Sequence, residues 1–165
     1  MLLHAEGEFR LNDEADTADL GQSIARVLQK GEAICLSGPL GAGKSTLARA
    51  LIRALTTPTE EVPSPTFTLV QFYEGPRLKV AHFDLYRLSN PDEAYEIGLD
   101  EALDEGAAVI EWPERLCGRL PADRLDVEIG PSGDHWDQGR SVRLTPHGAW
   151  EGRRLEFGQF GQLGS

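Results

Sequence analysis

The sequence predicts a single α/β domain in which helices cover both faces of a buried sheet and antiparallel hairpins extend it. Three observations support this prediction. The apolar run at residues 33–36 is typical of a strand buried on both faces, and a glycine-rich turn leads from it into a segment with helical spacing. Two later pairs of strand-like segments are each joined by a turn-forming loop. With 165 residues, of which 40% are hydrophobic, the chain is long enough to bury one core.

The first half of the chain alternates between helix and strand. Residues 17–30 carry apolar side chains at helical spacing, and Gly31 follows them as a stop signal. A buried strand is expected at 33–36, and a second helix is expected from Thr46 to Leu55. The strand, the glycine-rich turn and the helix therefore follow one another in the order that a phosphate-binding motif requires.

The second half of the chain predicts two hairpins with a buried strand between them. Residues 67–73 and 78–88 form the first strand-like pair, and residues 125–129 and 141–145 form the second. Residues 107–110 are apolar and are followed closely by a proline, which indicates a buried strand that stops there.

Two boundaries complete the predicted organisation. A short helix should begin after Asn90, because asparagine is a good N-terminal cap and Pro91 fits the first helical turn. A single domain is expected over residues 1–148. Residues 149–165 form a glycine-rich tail without clear periodicity, and we expect this tail to be poorly ordered.

Charge and composition exclude several classes of function. A chain with a net charge of −11 cannot neutralise many phosphates, so strong direct binding of RNA or DNA by this chain alone is not expected. No stretch approaches the roughly 20 apolar residues of a membrane span, and the first residues lack a secretion signal, so we expect a cytoplasmic protein without membrane contact. Cys35 and Cys117 lie far apart without a C-x-x-C motif, which favours reduced, core-type cysteines.

A glycine-rich motif carries the main chemical signal. Residues 38–45, GPLGAGKS, match the pattern G-x-x-x-x-G-K-[ST], whose backbone N–H groups surround phosphate oxygens at a helix N-terminus. Lys44 is expected to bridge the β- and γ-phosphates, and the Ser45 hydroxyl is expected to ligate Mg²⁺. The residues of this P-loop that we expect to bind nucleotide are Gly38, Gly41, Ala42, Gly43, Lys44, Ser45 and Thr46.

Two carboxylates stand at the ends of apolar strands, where phosphoryl transfer needs an acid behind the magnesium. Asp84 follows residues 78–83, and Glu111 follows residues 107–110. Composition does not rank the two, and each could serve as a metal or water ligand. Period-two alternation places His82 on the same side of its strand as Asp84, so His82 is either a neighbour of the site or a structural histidine.

Other nucleotide-dependent and nucleophilic chemistries lack their motifs. The D-x-x-G and N-K-x-D motifs of GTPases are absent, and so is the L-S-G-G-Q signature of transport ATPases. The sequence also contains no G-x-S-x-G motif for a nucleophilic serine. Guanine specificity, a transporter role and covalent serine catalysis are therefore not expected.

Five blocks in chain order carry a resemblance to one family. They are GPLGAGKST at 38–46, SPTFTLV at 64–70, HFDLYRL at 82–88, EIGLDE at 96–101 and IEWPE at 110–114. Together they resemble the TsaE family, the small ATPase subunit of the bacterial machinery that makes N6-threonylcarbamoyladenosine (t6A) in tRNA. The resemblance extends over most of residues 12–130.

The resemblance implies a P-loop NTPase-like α/β fold with antiparallel strands in its sheet, and ATP and Mg²⁺ bound at the loop. It implies that Ser45 and Glu111 ligate the metal and that Asp84 is needed for hydrolysis, so that Asp84, Lys44 and Glu111 form the catalytic set. Thr66, in the S-P-T block, would belong to a nucleotide-sensing switch. Trp112 would lie beside the nucleotide.

The resemblance also implies a function and partners. The family's ATPase is weak alone and works with a larger threonylcarbamoyl transferase subunit and that subunit's inactive paralogue, in a cycle of ATP hydrolysis that drives or resets the complex. An acidic subunit suits docking on proteins, with tRNA contacts left to the partners.

Two alternatives remain. One is a small-molecule P-loop kinase with Arg115, Arg119 and Arg124 as a phosphate clamp, and the other is a nucleotide-gated binding module that does not hydrolyse ATP.

Overall fold

The structure is a computed structural model that describes residues 2–39, 41–65, 67–131 and 139–156. Its strands and helices are, in chain order, β1 (Leu2–His4), β2 (Gly7–Leu11), α1 (Glu14–Val27), β3 (Ala33–Ser37), α2 (Lys44–Leu55), β4 (Val70–Glu74), β5 (Lys79–Asp84), α3 (Asp92–Glu96), α4 (Leu99–Glu105), β6 (Ala107–Glu111), β7 (Arg124–Pro131), β8 (Arg140–His147) and β9 (Arg154–Glu156). Short 3-10 turns at Pro113–Leu116 and Gly148–Trp150 follow β6 and β8.

The main sheet has seven strands in the order β2-β8-β7-β3-β6-β5-β4. Its centre is parallel, because β3 pairs in parallel with both β6 and β7, and β5 pairs in parallel with β6. The outer strands are antiparallel, and they form the two hairpins β4–β5 and β7–β8 that the sequence predicts. Every residue of β6 is buried, as a central parallel strand requires.

Helices cover both faces of this sheet. Successive residues of β3 point to opposite faces, so Ile34 joins the core beneath α1 and α2, whereas Cys35 joins the core beneath α3 and α4. The helices α1 and α2 approach closely, since a Cβ atom on Gly21 would lie 3.0 Å from the Cβ of Ala50. The predicted α/β fold, P-loop NTPase-like with helices on both faces and antiparallel hairpins, is confirmed.

Helix boundaries depend on capping groups that the periodicity alone did not locate. The helix α1 begins at Glu14 rather than at residue 17, because the Asp13 side chain caps it and accepts a hydrogen bond from the Asp16 N–H at 2.9 Å. The helix α2 begins at Lys44, two residues before the predicted start. The short helix expected after Asn90 is present as α3.

The C-terminal segment differs from the expected poorly ordered tail. Trp150 and Leu155 are fully buried, and β9 pairs with β1 in a separate two-stranded sheet. Arg153 donates to both carboxylate oxygens of Glu32, at 2.6 and 2.7 Å, and its guanidinium lies over the Trp150 ring. This segment is held by a few contacts of large side chains and not by a regularly buried face. Its sequence therefore shows no periodicity. The expected boundary at residue 148 is therefore wrong for residues 149–156, and the rest of the expected tail lies outside the described residues.

Within the described ranges, no helix has both the length and the apolarity that crossing a bilayer demands.

Candidate nucleotide-binding site

The predicted chemical groups meet at one edge of the main sheet. Parallel pairing places Leu36 of β3 opposite Glu111 of β6, and Glu111 opposite Asp84 of β5. The loop after β3 therefore lies beside both carboxylates, at the carboxyl ends of the strands where α/β sheets bind ligands. A cleft of about 460 Å³ opens there.

Most of the predicted site residues line this cleft. Those that do so are Gly41, Gly43, Lys44, Ser45, Thr46, Asp84, Glu111 and Trp112. Gly38 and Ala42 lie in the same loop, where their carbonyl oxygens accept hydrogen bonds from Lys44 and Arg140. Thr66 lies outside the described residues.

The glycines of the P-loop are required for two different reasons. A Cβ atom on Gly38 would lie 2.2 Å from the carbonyl oxygen of Ile129, so packing against β7 excludes any side chain there. Gly41 and Gly43 have open space around them, but their φ angles of 81° and 103° favour glycine. Gly43 leads directly into α2, and among the described residues no side chain caps this helix start, an arrangement that suits anion binding.

The Lys44 side chain is held by a contact with its own P-loop and by a contact with Trp112. Its Nζ donates to the carbonyl oxygen of Gly38 at 2.7 Å and lies 3.5 Å from the centre of the Trp112 ring. Burial lowers the pKa of Lys44 from its ordinary value, while nearby carboxylates, Glu111 first among them, act in the opposite direction. A phosphate entering the cleft could therefore replace the Gly38 carbonyl as the partner of the ammonium group.

Trp112 is turned toward the cleft by an unusual backbone conformation. Its φ and ψ are 62° and 51°, in the left-handed region that non-glycine residues rarely occupy. Its N–H donates to the Leu36 carbonyl at 3.3 Å, and its ring packs against Tyr86 with centroids 4.9 Å apart. This turn, directly after β6, places the indole over Lys44.

The two carboxylates, equal by composition, have different surroundings. Both are buried, at 6% exposure for Asp84 and 4% for Glu111. An oxygen of Asp84 accepts from the Tyr86 N–H at 3.0 Å. The Oε2 atom of Glu111 instead lies 2.7 Å from Nε2 of His82. His82 is thus a neighbour of the site, which was one of the two alternatives left open by the sequence.

The metal-binding capacity of the cleft is limited to few protein ligands. In the described part of the chain, no three His, Cys, Asp or Glu side chains are grouped to hold a metal ion. Ser45 and Glu111 nevertheless line the same cleft. A hydroxyl and a carboxylate suit Mg²⁺, which commonly takes one or two protein ligands and completes its shell with phosphate oxygens and water.

Sequence reasoning did not assign several residues that line the cleft. They are Leu11, Asn12, Asp13, Glu14, Thr17, Gly139 and Arg140, whereas Ser64, which also lines it, belongs to the S-P-T block of the resemblance. Arg140 donates to the Ala42 carbonyl at 3.2 Å across 98 positions of sequence. The pairing of β2 with β8 brings Leu11 opposite Arg140, so no local sequence signal places these two residues at the cleft.

A larger groove of about 960 Å³ lies elsewhere, between α1 and α2. Arg26, Arg49, Arg53 and Arg77 line it, together with small apolar side chains. Glu14 and Thr46 border both cavities, but the groove lacks the P-loop glycines and the strand-end carboxylates. The chemistry of the side chains, rather than cavity size, therefore identifies the smaller cleft as the candidate site.

The three arginines of the kinase alternative lie outside the candidate cleft. Arg119 pairs with Asp92, Arg124 donates to Asp126 at 3.0 Å, and Arg115 lies over the Tyr86 ring. The arrangement does not support a phosphate clamp built from these side chains.

Both cysteines are free thiols, as expected, but only one is a core residue. Burial raises the pKa of Cys35 to about 12, whereas Cys117 is exposed. The expectation of a core-type cysteine is wrong for Cys117, which follows a 3-10 turn at the surface.

The chain is similar to known proteins of one family. The family model described as "Threonylcarbamoyl adenosine biosynthesis protein TsaE" matches residues 11–141. A protein of Aquifex aeolicus is 46% identical over 124 residues, covering 74% of this chain and 86% of its own length. A protein of Rickettsia bellii is 37% identical over 119 residues, covering 72% and 83%. Both are named "tRNA threonylcarbamoyladenosine biosynthesis protein TsaE".

A solved structure is also similar to this fold. The crystal structure of YdiB from Bacillus subtilis superposes with a TM-score of 0.69 at 27% sequence identity, covering 90% of this chain and 87% of that one.

Proposed function

Because the chain belongs to the TsaE family, we propose that it is a P-loop ATPase subunit required for threonylcarbamoylation of adenosine in tRNA. ATP binds with Mg²⁺ in the candidate cleft, and its hydrolysis drives or resets the complex that makes t6A. The observation that carries the proposal is the convergence of Lys44, Asp84 and Glu111 on one cleft beside the P-loop.

The P-loop and Lys44 bind the phosphates. Backbone N–H groups of the loop and of the first turn of α2 donate to phosphate oxygens. The Lys44 ammonium exchanges the Gly38 carbonyl for the β- and γ-phosphates, an exchange that keeps its charge compensated. Trp112 packs over the Lys44 ammonium and limits the water around it.

Ser45 and Glu111 hold the metal. Ser45 stands in the first turn of α2 and Glu111 at the end of β6, so both reach the cleft from rigid elements. When bound, Mg²⁺ neutralises charge on the β- and γ-phosphate oxygens. The Glu111 carboxylate and the Ser45 hydroxyl fix the phosphates in one orientation.

Asp84 acts on the attacking water. The Tyr86 N–H orients its carboxylate, and the strand end places that carboxylate beside Glu111. Asp84 accepts a hydrogen bond from the water whose oxygen bonds to the γ-phosphorus while the bond to the β–γ bridging oxygen breaks. The products are ADP and inorganic phosphate.

The wider proposal concerns partners and location. The subunit works in the cytoplasm with a threonylcarbamoyl transferase subunit and its inactive paralogue, and alone it hydrolyses ATP weakly. The net charge of −11 supports docking on proteins and leaves tRNA contacts to the partners.

Paired substitutions of the two acids test this assignment. Glu111→Gln should raise the Mg²⁺ concentration needed for ATP binding, because the metal loses an anionic ligand. Asp84→Ala should retain Mg²⁺-dependent binding and lose hydrolysis. Calorimetry over a Mg²⁺ series and a phosphate-release assay measure the two effects, with Asp104→Ala on the exposed side of α4 as the control.

Wild-type behaviour of both variants would refute the site. A rise in ATP consumption on addition of a small-molecule acceptor would favour the kinase alternative. ATP binding by the wild type without any hydrolysis, even with the partners present, would favour the nucleotide-gated binding module.

A further inference from the structure

A buried histidine beside the proposed metal ligand has no role in the mechanism described so far. His82 is 2% exposed, in the middle of β5. Its Nε2 lies 2.7 Å from Oε2 of Glu111. Burial of a polar ring in a central strand is costly unless a specific contact compensates it, so this pair requires an explanation.

The register of β5 and β6 produces the contact. His82 stands opposite Val109, and Glu111 stands opposite Asp84. Since side chains alternate with a period of two, His82 and Asp84 share a face of β5, and Val109 and Glu111 share a face of β6. His82 therefore reaches Glu111 diagonally across the strand pair, as long side chains can.

The surroundings of the imidazole fix its proton. A carboxylate oxygen accepts, so Nε2 of His82 donates. The Nδ1 atom is buried and has no hydrogen-bond partner among the residues that the structure describes. Among the described residues, the hydrogen bond that anchors the ring therefore runs from Nε2 to Glu111.

Lys44 is the competitor for the same carboxylate. Glu111 is the strongest of the charged groups that raise the pKa of Lys44 against the effect of burial. Between described residues, however, no ion pair joins the two side chains, and Lys44 bonds to Gly38 instead. If the Glu111 carboxylate were released from His82, an ion pair with the Lys44 ammonium would be electrostatically favourable. Neither group would then be available to bind the nucleotide or its metal.

We propose that His82 is a positioning residue that holds Glu111 through Oε2, leaves its other oxygen for Mg²⁺, and prevents Glu111 from closing on Lys44. The inference rests on the proposed role of Glu111 in metal binding. Partners of this kind around a metal ligand typically change metal affinity by about 10–100-fold when removed.

The test compares His82→Leu with His82→Gln. Leucine removes the donor, whereas the glutamine amide can donate from about the position of Nε2. ATP affinity is measured by calorimetry with Mg²⁺ and with a chelator, and the ratio of the two affinities reports the metal's contribution. We expect His82→Leu to lower this ratio by about tenfold and His82→Gln to restore most of it.

A second histidine–carboxylate pair supplies the matched control. His147 lies 2.9 Å from Asp126 and does not line the cleft. His147→Gln should leave the ratio unchanged. An unchanged ratio in His82→Leu, or equal losses in the leucine and glutamine variants, would overturn the inference.

The proposed function and this inference fail in different ways. If Glu111→Gln leaves the ratio of ATP affinities with Mg²⁺ and with a chelator unchanged, Glu111 does not bind the metal and its proposed role is wrong. If Glu111→Gln lowers the ratio and His82→Leu does not, only the role of His82 falls.

A measurement on the wild-type protein covers the case in which His82→Leu does not fold. In ¹⁵N-histidine-labelled protein, the His82 ring should carry a proton on Nε2, and its Nε2 signal should shift in Glu111→Gln. The tautomer protonated on Nδ1 would contradict the inference.

Discussion

At the scale of single residues, the site depends on how neighbouring charges are kept apart. Lys44 bonds to a carbonyl of its own loop, Glu111 to His82, and Asp84 to the Tyr86 N–H. Each charged group therefore has a hydrogen-bond partner of its own inside the protein. Such partners let a cation and two carboxylates stand around one cleft without collapsing into ion pairs.

Replacement of Lys44 should separate binding from folding. We expect Lys44→Ala to weaken ATP binding by at least about tenfold, because charge-assisted hydrogen bonds to a phosphate contribute about 1.5–3 kcal/mol. The free energy of unfolding should change little, since the ammonium group is itself costly to bury. Calorimetry and urea unfolding measure the two quantities. The exposed Lys30→Ala is the control, and wild-type ATP affinity in Lys44→Ala would refute the role of Lys44.

The two thiols should differ sharply in reactivity. Burial raises the pKa of Cys35 to about 12, so its reactive thiolate is scarce at pH 8, while Cys117 is exposed. Mass spectrometry after brief treatment with iodoacetamide should find Cys117 modified and Cys35 intact. Cys35 should react only after unfolding, and fast modification of Cys35 in the native protein would contradict its burial.

Sequence patterns predict those site residues that local geometry determines. Lys44 and Ser45 follow from the P-loop motif, and Asp84 and Glu111 follow from their positions after apolar strands. The contact between His82 and Glu111 depends on strand register, which alternation along one strand does not give. Arg140 reaches the P-loop only because distant strands pair, so its place could not be predicted from its neighbours.

At the scale of elements, two glycines of the P-loop support it in different ways. Gly38 packs against the Ile129 carbonyl of β7, whereas Gly41 has open space around it and a positive φ. Glycine at position 38 allows the loop to pack directly against the sheet. Glycine at position 41 allows the backbone conformation that the loop adopts around its ligand.

Alanine at these positions should therefore have unequal effects. Gly38→Ala forces the backbone away from β7 and should lower both the melting temperature and ATP affinity. Gly41→Ala should lower ATP affinity with a smaller loss of stability, about 1 kcal/mol, the cost of left-handed backbone for an alanine. Thermal unfolding and calorimetry on both variants provide the comparison, and equal losses of stability would contradict it.

The C-terminal segment should contribute to the stability of the domain. Trp150 is fully buried, so Trp150→Ala should lower the free energy of unfolding by about 3–5 kcal/mol. The adjacent exposed residue supplies the control, and Glu151→Ala should change stability by less than about 0.5 kcal/mol. Urea unfolding measures both, and similar stabilities of the two variants would show that this segment is dispensable.

Sequence reasoning missed β1, β2, β9 and α4, and of these only β2 is a strand long enough to show alternation between exposed and buried residues. The strands β1 and β9 have three residues each, too few to show alternation, and their pairing joins the two ends of the described chain. The helix α4 is short and starts at a left-handed glycine, Gly98, rather than at a side-chain cap. Longer elements with clear alternation, such as the two hairpins, were predicted correctly.

At the scale of the whole molecule, the acidic charge and the position of the switch-like S-P-T block suggest nucleotide-dependent docking. Ser64 lines the cleft, so we expect a bound γ-phosphate to change the contacts that Ser64 makes. Any partner that prefers the ATP-bound surface must tighten ATP binding by the same factor, because coupling between two ligands is reciprocal.

Partner and tRNA binding should therefore differ in their nucleotide dependence. The isolated protein should retain no tRNA at near-physiological salt. The purified transferase and paralogue should bind it more tightly with a non-hydrolysable ATP analogue than with ADP. Filter binding and calorimetry measure these affinities. Sub-micromolar tRNA binding by the subunit alone would overturn the charge argument, and equal partner affinities in both nucleotide states would overturn the switch.

The most direct test of the whole account measures t6A formed per transferase complex over time. The complex is reconstituted with tRNA, the threonylcarbamoyl donor and ATP, and then supplemented with wild-type protein, Asp84→Ala or Lys44→Ala. We expect continued turnover with the wild-type protein, and t6A formation that stops after about one round with either variant, because neither variant completes the ATP cycle that resets the complex. Sustained turnover with Asp84→Ala, equal to that with the wild type, would contradict the account.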